Sequence, residues 1–398
     1  MRGVSMLTMA RAAWAAVRYA VVVPLLQLAV YLCAAMSLML FAERLYMGLV
    51  VAALWLHRRR RRQRRNPGRN KGDDGDDLES GAAEDLPMVL VQIPMFNEKQ
   101  VYRLSIGAAC GLWWPADKLV IQVLDDSTDA GIRALVEAEC RRWAGKGVQI
   151  RYENRSNRSG YKAGAMREGL KKGYARDCEL VAVFDADFQP DADFLRRTVP
   201  VLQADPSVAL VQARWRFVNA DECILTRIQE MSLDYHFSVE QEVGSACHGF
   251  FGFNGTAGVW RVQALADAGG WKDRTTVEDM DLAVRASMRG WRFVYAGDVQ
   301  VRNELPSSFK AYRYQQHRWS CGPANLMRKM FWEIVASRQV SAWKKSQSSI
   351  LAPEIVMGLC LLYCAVYDIV FGHDHFYVYL LMQSAAAFVI GFGYVGSQ

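Results

Sequence analysis

Leu180-Val181-Ala182-Val183-Phe184-Asp185-Ala186-Asp187 is the stretch on which the fold turns. Its apolar half reads as a short buried strand, and the strand ends in two acids. In an extended backbone, residues i and i+2 point to the same face, so Asp185 and Asp187 converge. Carboxylates that close repel each other unless a cation sits between them. Hard divalent ions are held by one or two carboxylates plus substrate phosphates, which this pair suits. An isolated Asp-x-Asp also arises by chance in loops. Its place at the end of a buried strand, where open α/β sheets bind ligands, favours the metal reading.

Outward from this stretch, short apolar runs alternate with helix-compatible ones. Met88–Ile93, Val120–Leu124, Val148–Tyr152, Leu180–Phe184 and Val208–Val211 read as strands; Lys99–Leu112, Ala130–Trp143, Ala163–Tyr174 and Ala192–Leu202 read as helices. That alternation predicts a Rossmann-like α/β domain with a mostly parallel sheet covered on both faces. No Gly-x-Gly-x-x-Gly follows the first strand, so a dinucleotide dehydrogenase is disfavoured.

Three further stations carry candidate chemistry. The second strand ends in Val123-Leu124-Asp125-Asp126-Ser127, where a carboxylate can accept hydrogen bonds from a base or ribose. Asp-Ser is equally at home as a helix N-cap, and the two readings stand level. Thr275-Thr276-Val277-Glu278-Asp279-Met280-Asp281 opens a helix through Met288. Acids in a first helical turn are ordinary dipole complements. They also suit a general base, and spacing alone does not choose among Glu278, Asp279 and Asp281. Phe309–Met330 mixes aromatics and cations around Gln315-Gln316-His317-Arg318-Trp319, a pattern expected of an amphipathic helix at a membrane surface. A Trp beside Gln and Arg also suits stacking on a sugar and contact with a diphosphate. Phe250–Gly258 is rich in glycine and aromatics; it either lets backbone approach a ligand or forms packed turns.

The 398 residues are long enough for one large domain with accessory segments. The formal charge of +7 comes from one place: residues 57–65 contain seven arginines, and the rest of the chain balances. No basic face recurs elsewhere, so nucleic acid is not an expected partner. The run follows an apolar segment and reads as a cytosolic membrane flank, placing residues 57–349 in the cytosol. Nine scattered cysteines without a CxxC pair argue against a disulfide framework or structural zinc.

Val21–Ala42 is long enough to cross a bilayer, which takes about 20 residues. Leu45–Leu56 either extends that helix or lies along the surface. Ile350–Phe371 and Phe376–Val395 predict a C-terminal transmembrane hairpin. The pair His373 and His375 at its tip reads as a solvated turn, since no further ligands are near. The expected organisation is a membrane segment at 1–56, an Arg-rich and acidic linker at 57–87, a catalytic domain at 88–335, an interfacial segment at 336–349 and a membrane hairpin at 350–398.

Taken in order, these stations resemble the processive family-2 glycosyltransferases, marked by D, DxD, a (T/V)ED-type acid and QxxRW, over residues 88–335. Closer still, the chain resembles the plant cellulose-synthase-like A family of glucomannan (β-1,4-mannan) synthases of the Golgi. Val91-Gln92-Ile93-Pro94-Met95, Asp125–Asp129, Phe253–Trp260, Asn303–Pro306 and Arg318–Pro323 carry that likeness. The resemblance implies a GT-A fold and a membrane-bound inverting enzyme that lengthens mannan or glucomannan from GDP-mannose and GDP-glucose. It implies Asp126 as an essential acid with Asp125 beside it as a nucleotide contact. Asp185 and Asp187 would hold Mn2+ or Mg2+ on the donor diphosphate, with Lys162 also at the donor. Asp279 would be the base, and Gln315, Arg318 and Trp319 the acceptor-end platform. The implied partners are the nucleotide sugar, the growing chain and membrane lipid. The alternatives are a β-1,4-glucan synthase of xyloglucan type and a C-terminally shortened, non-catalytic form, because the sequence stops at Gln398 where such chains usually carry further helices.

Overall fold

Alternate residues of the central strands enter two separate cores. In β1 (Val89–Met95), Val89, Val91 and Ile93 join one core with Ile121 and Val123 of β2 (Leu119–Asp125), while Leu90 joins the other with Val120 and Leu124. β4 (Leu180–Val183) divides the same way. Burial on both faces is why these strands read as continuous apolar runs rather than alternating ones. Each fully buried Val or Ile contributes about 1.5–3 kcal/mol relative to an exposed one.

The computed structural model describes residues 2–65, 86–155 and 157–336. With β3 (Ile150–Asn154), β5 (Gln189–Pro190), β6 (Val208–Phe217), β7 (Gly258–Arg261) and β8 (Arg292–Asn303), the described residues form one eight-stranded sheet, ordered β3-β2-β1-β4-β7-β6-β8-β5. It is mostly parallel, as expected. Only β7 and the short β5 run against their neighbours. β7 and β8 were not among the predicted strands. β7 is only four residues long and β8 mixes buried, half-buried and exposed positions, so neither forms a continuous apolar run.

α3 (Tyr102–Cys110), α4 (Ala130–Ala144), α5 (Tyr161–Gly169) and α6 (Phe194–Ala204) lie between the parallel strands. Two buried glutamines tie α5 to the sheet. Gln92 Nε2 donates to the Met166 carbonyl at 3.1 Å, and Gln122 Nε2 donates to the Gly169 carbonyl at 3.0 Å. Each carbonyl also accepts a backbone amide, Met166 from Leu170 at 3.1 Å and Gly169 from Lys172 at 3.2 Å, so the glutamines use the second lone pair of each to hold the end of α5 on the sheet. Further on come α7 (Ile224–Tyr235), which continues into π-helical turns, then α8 (Val262–Asp267), α9 (Glu278–Met288) and α10 (Phe309–Ala336).

At the N-terminus, α1 (Arg2–Val17), a π-helical turn (Arg18–Val22) and α2 (Val23–Arg65) follow one another. Of the two compact units, one takes the described residues up to Ala52 and the other begins at Ala53. Leu45–Leu56 extends the helix rather than leaving it. Among the described residues one helix is long and apolar enough to cross a membrane, Ser37–Arg60, with none of it buried. The predicted C-terminal hairpin lies outside the described residues.

Candidate active site

Strand register gathers the acids at one edge. Met95 pairs with Asp125, and Asp125 pairs with Asn154, so β1, β2 and β3 end level. β4 stops at Val183, opposite Gln92. The backbone then turns, with the Phe188 amide donating to the Asp185 carbonyl at 3.0 Å. The expectation of an extended Asp185-Ala186-Asp187 is therefore corrected: the two carboxyls share one site through a turn, not through the pleat. Burial, and then the charge of Asp185, push the Asp187 carboxyl up to about 7.

At the end of β2, Asp125 is fully buried. Its Oδ1 accepts from the Ser127 amide and its Oδ2 from the Tyr152 hydroxyl, each at 2.9 Å. Expected as a nucleotide contact, Asp125 has both oxygens engaged within the protein. Asp126 faces Arg155, which holds both carboxylate oxygens, Oδ1 at 2.8 Å. Arg155 also reaches the Ser159 and Tyr161 carbonyls at 3.0 and 3.1 Å, so one guanidinium ties Asp126 to the turn that opens α5. Neither aspartate caps α4; Asp129 does, accepting from the Gly131 and Ile132 amides.

α5 sends Lys162 across the edge. Its Nζ lies 2.5 Å from Asp185 Oδ1 and 3.0 Å from the Gly255 carbonyl. Burial disfavours the ammonium, but Asp185, Glu278 and Asp279 together raise its pKa above the ordinary lysine value. Gly255, with φ +79°, is approached from the other side by Asp279: a Cβ built there would stand 2.8 Å from Asp279 Oδ2 and 3.6 Å from Lys162 Nζ. The Phe250–Gly258 loop is thus a close-approach loop. Its Thr256 hydroxyl accepts from the Asp185 amide at 2.9 Å.

The three acids at the start of α9 have separate fates. Asp281 has no exposed surface, and Arg274 and Arg285 neutralise it at 2.5 and 2.8 Å. Asp279 is half-buried; burial and then the neighbouring Glu278 push it up to about 7, against the pull of Lys162. The Glu278 carboxyl is raised too, by burial and by Asp185, while Lys162 and Arg318 oppose the rise. Arg318 therefore acts on Glu278 from α10. Gln315 and Trp319 are half-buried on the same helix and Arg318 is exposed. α10 meets the approach to α9 at Gly322, where a Cβ would fall 2.4 Å from Val277 Cγ1.

Three residues of the site were not anticipated: Glu98, Arg155 and Arg274. Glu98 follows β1, and burial together with Asp185 raises its carboxyl. Asn97 fixes that loop to the next one, its amide donating to Ser127 Oγ at 2.8 Å and its Oδ1 accepting from the Thr128 amide at 3.1 Å. The available signal was an acid just beyond the carboxyl end of the first strand. Arg155 had no local signal, because its partner Asp126 lies 29 positions away, and nothing local marked Arg274 for Glu333, 59 positions on.

The donor set suits a divalent cation. Asp185, Asp187 and Glu98 concentrate negative charge at a half-buried edge, and burial, followed by the charge of Asp185, raises the carboxyls of Glu98 and Asp187. Among the described residues no group of three or more His, Cys, Asp or Glu side chains stands ready to hold a metal alone. A cation here would complete its coordination with ligand oxygens or water.

Residues 90–256 match the family described as "Glycosyl transferase family 2", and residues 180–391 match "Glycosyl transferase family group 2". The chain is 64% identical over 337 residues to the probable glucomannan 4-beta-mannosyltransferase 9 of Oryza sativa subsp. japonica, covering 84% of this chain and 64% of that protein. To glucomannan 4-beta-mannosyltransferase 2 of Arabidopsis thaliana it is 64% identical over 332 residues, covering 83% and 61% respectively. The chain thus spans less than two thirds of the length of these relatives. To glucomannan 4-beta-mannosyltransferase 1 of Cyamopsis tetragonoloba it is 47% identical, with 97% of this chain and 95% of that one covered. Among solved structures, a mannosyltransferase, PcManGT of Pyrobaculum calidifontis, in complex with GDP-Man and Mn2+, superposes with a TM-score of 0.51 at 19% identity, over 90% of this chain and 97% of the other. That likeness establishes a GT-A-type fold.

Proposed function

Because the chain belongs to the glucomannan 4-beta-mannosyltransferases of glycosyltransferase family 2, we propose that it is an inverting β-1,4-mannosyltransferase that lengthens a mannan or glucomannan backbone from GDP-mannose, and from GDP-glucose. The observation that carries this reading is the meeting of Lys162, Asp185 and Asp279 around Gly255. A cation, a strand-end acid and an acid near neutrality in one place are the parts that glycosyl transfer needs.

Asp279 accepts the proton of the acceptor 4-hydroxyl as that oxygen bonds to the anomeric carbon of the donor. The bond from that carbon to the diphosphate oxygen breaks, configuration inverts, and GDP departs. A carboxyl near 7 is a stronger base than an ordinary aspartate and is still substantially ionised at neutral pH. Lys162 sets a positive charge beside the diphosphate. Asp185 and Asp187 would hold Mn2+ or Mg2+, which when bound supplies positive charge against the departing diphosphate. Asp126, held by Arg155, and the buried Asp125 shape the nucleotide side. Gln315, Arg318 and Trp319 form the platform for the acceptor end, Trp319 by stacking on sugar.

Ser37–Arg60, ending in the arginine run, supports attachment to a membrane with the catalytic body in the cytosol. Family membership supports the Golgi as the location. Purified full chain in nanodiscs, given labelled GDP-mannose, GDP-glucose or UDP-glucose with Mn2+ or Mg2+, tests the whole reading. Mannanase-sensitive polymer from GDP-mannose is the expected product; polymer made only from UDP-glucose and cut only by cellulase would replace the mannan reading with glucan synthesis.

A further inference from the structure

We propose that Arg274 is a positioning residue that locks the helix carrying Asp279 to the helix carrying Gln315, Arg318 and Trp319. The proposal rests on the reading of those groups as base and acceptor platform.

Arg274 lies in the approach to α9 and faces two ways. Inward, its Nε and one terminal nitrogen donate to Asp281 Oδ1 at 2.8 and 2.5 Å. Outward, its two terminal nitrogens donate to Glu333 of α10 at 2.6 and 3.2 Å. Lys329, one turn earlier on α10, donates to the Arg274 carbonyl. The inner end is buried and fully bonded. Asp281 is fully buried, and its other oxygen accepts from Arg285 Nε and a terminal nitrogen at 3.0 and 2.8 Å. Arg285 is anchored in turn on the Ala268 and Gly270 carbonyls.

The geometry explains why this residue is an arginine. One planar fork reaches carboxylates on two helices at once, whereas a lysine ammonium is a single point charge. The Gly322 contact with Val277 pins the same pair of elements about 16 Å along α10, at about 1.5 Å of rise per residue. Gly322 and Glu333 are eleven positions apart, three helical turns, so both pins lie on one face of α10. Without the outer pin, α10 would keep its glycine contact near Trp319 but lose its angle to α9. Asp279 sits two residues before Asp281, so such a tilt changes the distance from base to acceptor platform. Donor binding on the far side of Lys162 would not be touched.

Glu333 is half exposed, so Glu333→Gln should fold and is the variant of choice, with Glu333→Asp as the conservative control and Arg274→Lys as a second test. In nanodisc-held full chain, Glu333→Gln should lower kcat on the order of tenfold or more, since small misplacements of reacting groups cost rate on that scale. KM for GDP-mannose and the affinity for GDP should stay within about twofold, because uniform binding is untouched. Glu333→Asp should recover most of the rate. Amide exchange at Asp281 and Leu282 should quicken in Glu333→Gln while exchange in β1, β2 and β4 is unchanged. An unaltered kcat would overturn the proposal. So would a joint loss of rate, GDP affinity and protection across the sheet, which marks general destabilisation. If the unmodified chain transfers sugar from no donor, the mannosyltransferase reading falls; exchange at Asp281 then decides the lock alone, and no change there overturns it.

Discussion

Lys162 Nζ stands 2.5 Å from Asp185 Oδ1 and donates at the same time to the Gly255 carbonyl, joining the turn after the fourth strand to the loop that faces Asp279. An ammonium shared between an acid and a backbone carbonyl has a donor left for a ligand oxygen. Replacing Lys162 by Met should weaken binding of GDP in the presence of Mn2+ on the order of tenfold, the scale of one charge-assisted hydrogen bond. Isothermal titration of GDP checks this, and equal affinity in the variant would remove Lys162 from the donor side.

Asp279 as the proposed base predicts a pH dependence. Its carboxyl is pushed up to about 7 by burial and by Glu278, and a base must be ionised to act. The rate under limiting substrate should therefore rise with pH and level off above about 7, falling about tenfold per unit on the acid side. Asp279→Asn should lose transfer by a factor of about 100 or more while still binding GDP. A flat profile from pH 5 to 8 would assign the proton to another group.

Metal removal should be read in stability as well as rate. Asp187 is raised to about 7 by burial and by Asp185. A carboxyl whose native pKa lies above its unfolded value binds its proton more tightly when folded, so its stabilising contribution is full below about 4 and is lost as pH rises through about 7. In chelator at pH 8, Asp187→Asn should melt at a higher temperature than the unmodified chain, and the advantage should vanish by pH 4. Added Mn2+ should stabilise the unmodified chain and not the variant, since a ligand stabilises only the state that binds it. A variant that melts lower at pH 8 without metal would count against this view of the acid turn.

Asp281→Asn should behave unlike Asp279→Asn. Removing one partner from a buried ion network costs about 3–5 kcal/mol, because Arg274 and Arg285 are left without their acid. Chemical denaturation should show the loss for Asp281→Asn and little change for Asp279→Asn. Comparable stability of the two variants would mean that the buried network has relaxed around water.

Gly322 offers a steric check. An added methyl would fall 2.4 Å from Val277 Cγ1, so Gly322→Ala must turn the Val277 side chain or shift α10 against the approach to α9. Turnover should drop, and Val277→Ala in the same chain should restore part of it. Failure of that pairing would indicate that the helix contact does not tune the site.

Much of the sheet was legible from the chain alone. The predicted strand at Met88–Ile93 is Val89–Met95, and that at Val120–Leu124 is Leu119–Asp125, because residues buried on both faces leave an unbroken apolar run. β8 was not legible: its half-buried positions follow from lying beside β6 and β5, a fact of topology rather than of local composition. The helix expected from Thr275 begins at Glu278, since Val277 adopts a non-helical backbone where α10 presses against it.

By itself, the order of residues determined which acids stand at strand ends and helix starts, because burial periodicity and chain punctuation are local properties. It also supplied Lys162, Asp185, Asp187 and Asp279 as candidates. Tertiary structure separates the surroundings of Asp279 and Asp281, two positions apart on one helix, and so supports the proposal of Asp279 as base. Asp281 is held by arginines seven residues before it and four after it, and one of these reaches Glu333 on another helix. Asp279 meets Gly255 and the field of Lys162, both distant in sequence. Whether a carboxylate is a structural ion or a working base depends on what surrounds it in space, and those neighbours are assembled only when the chain folds.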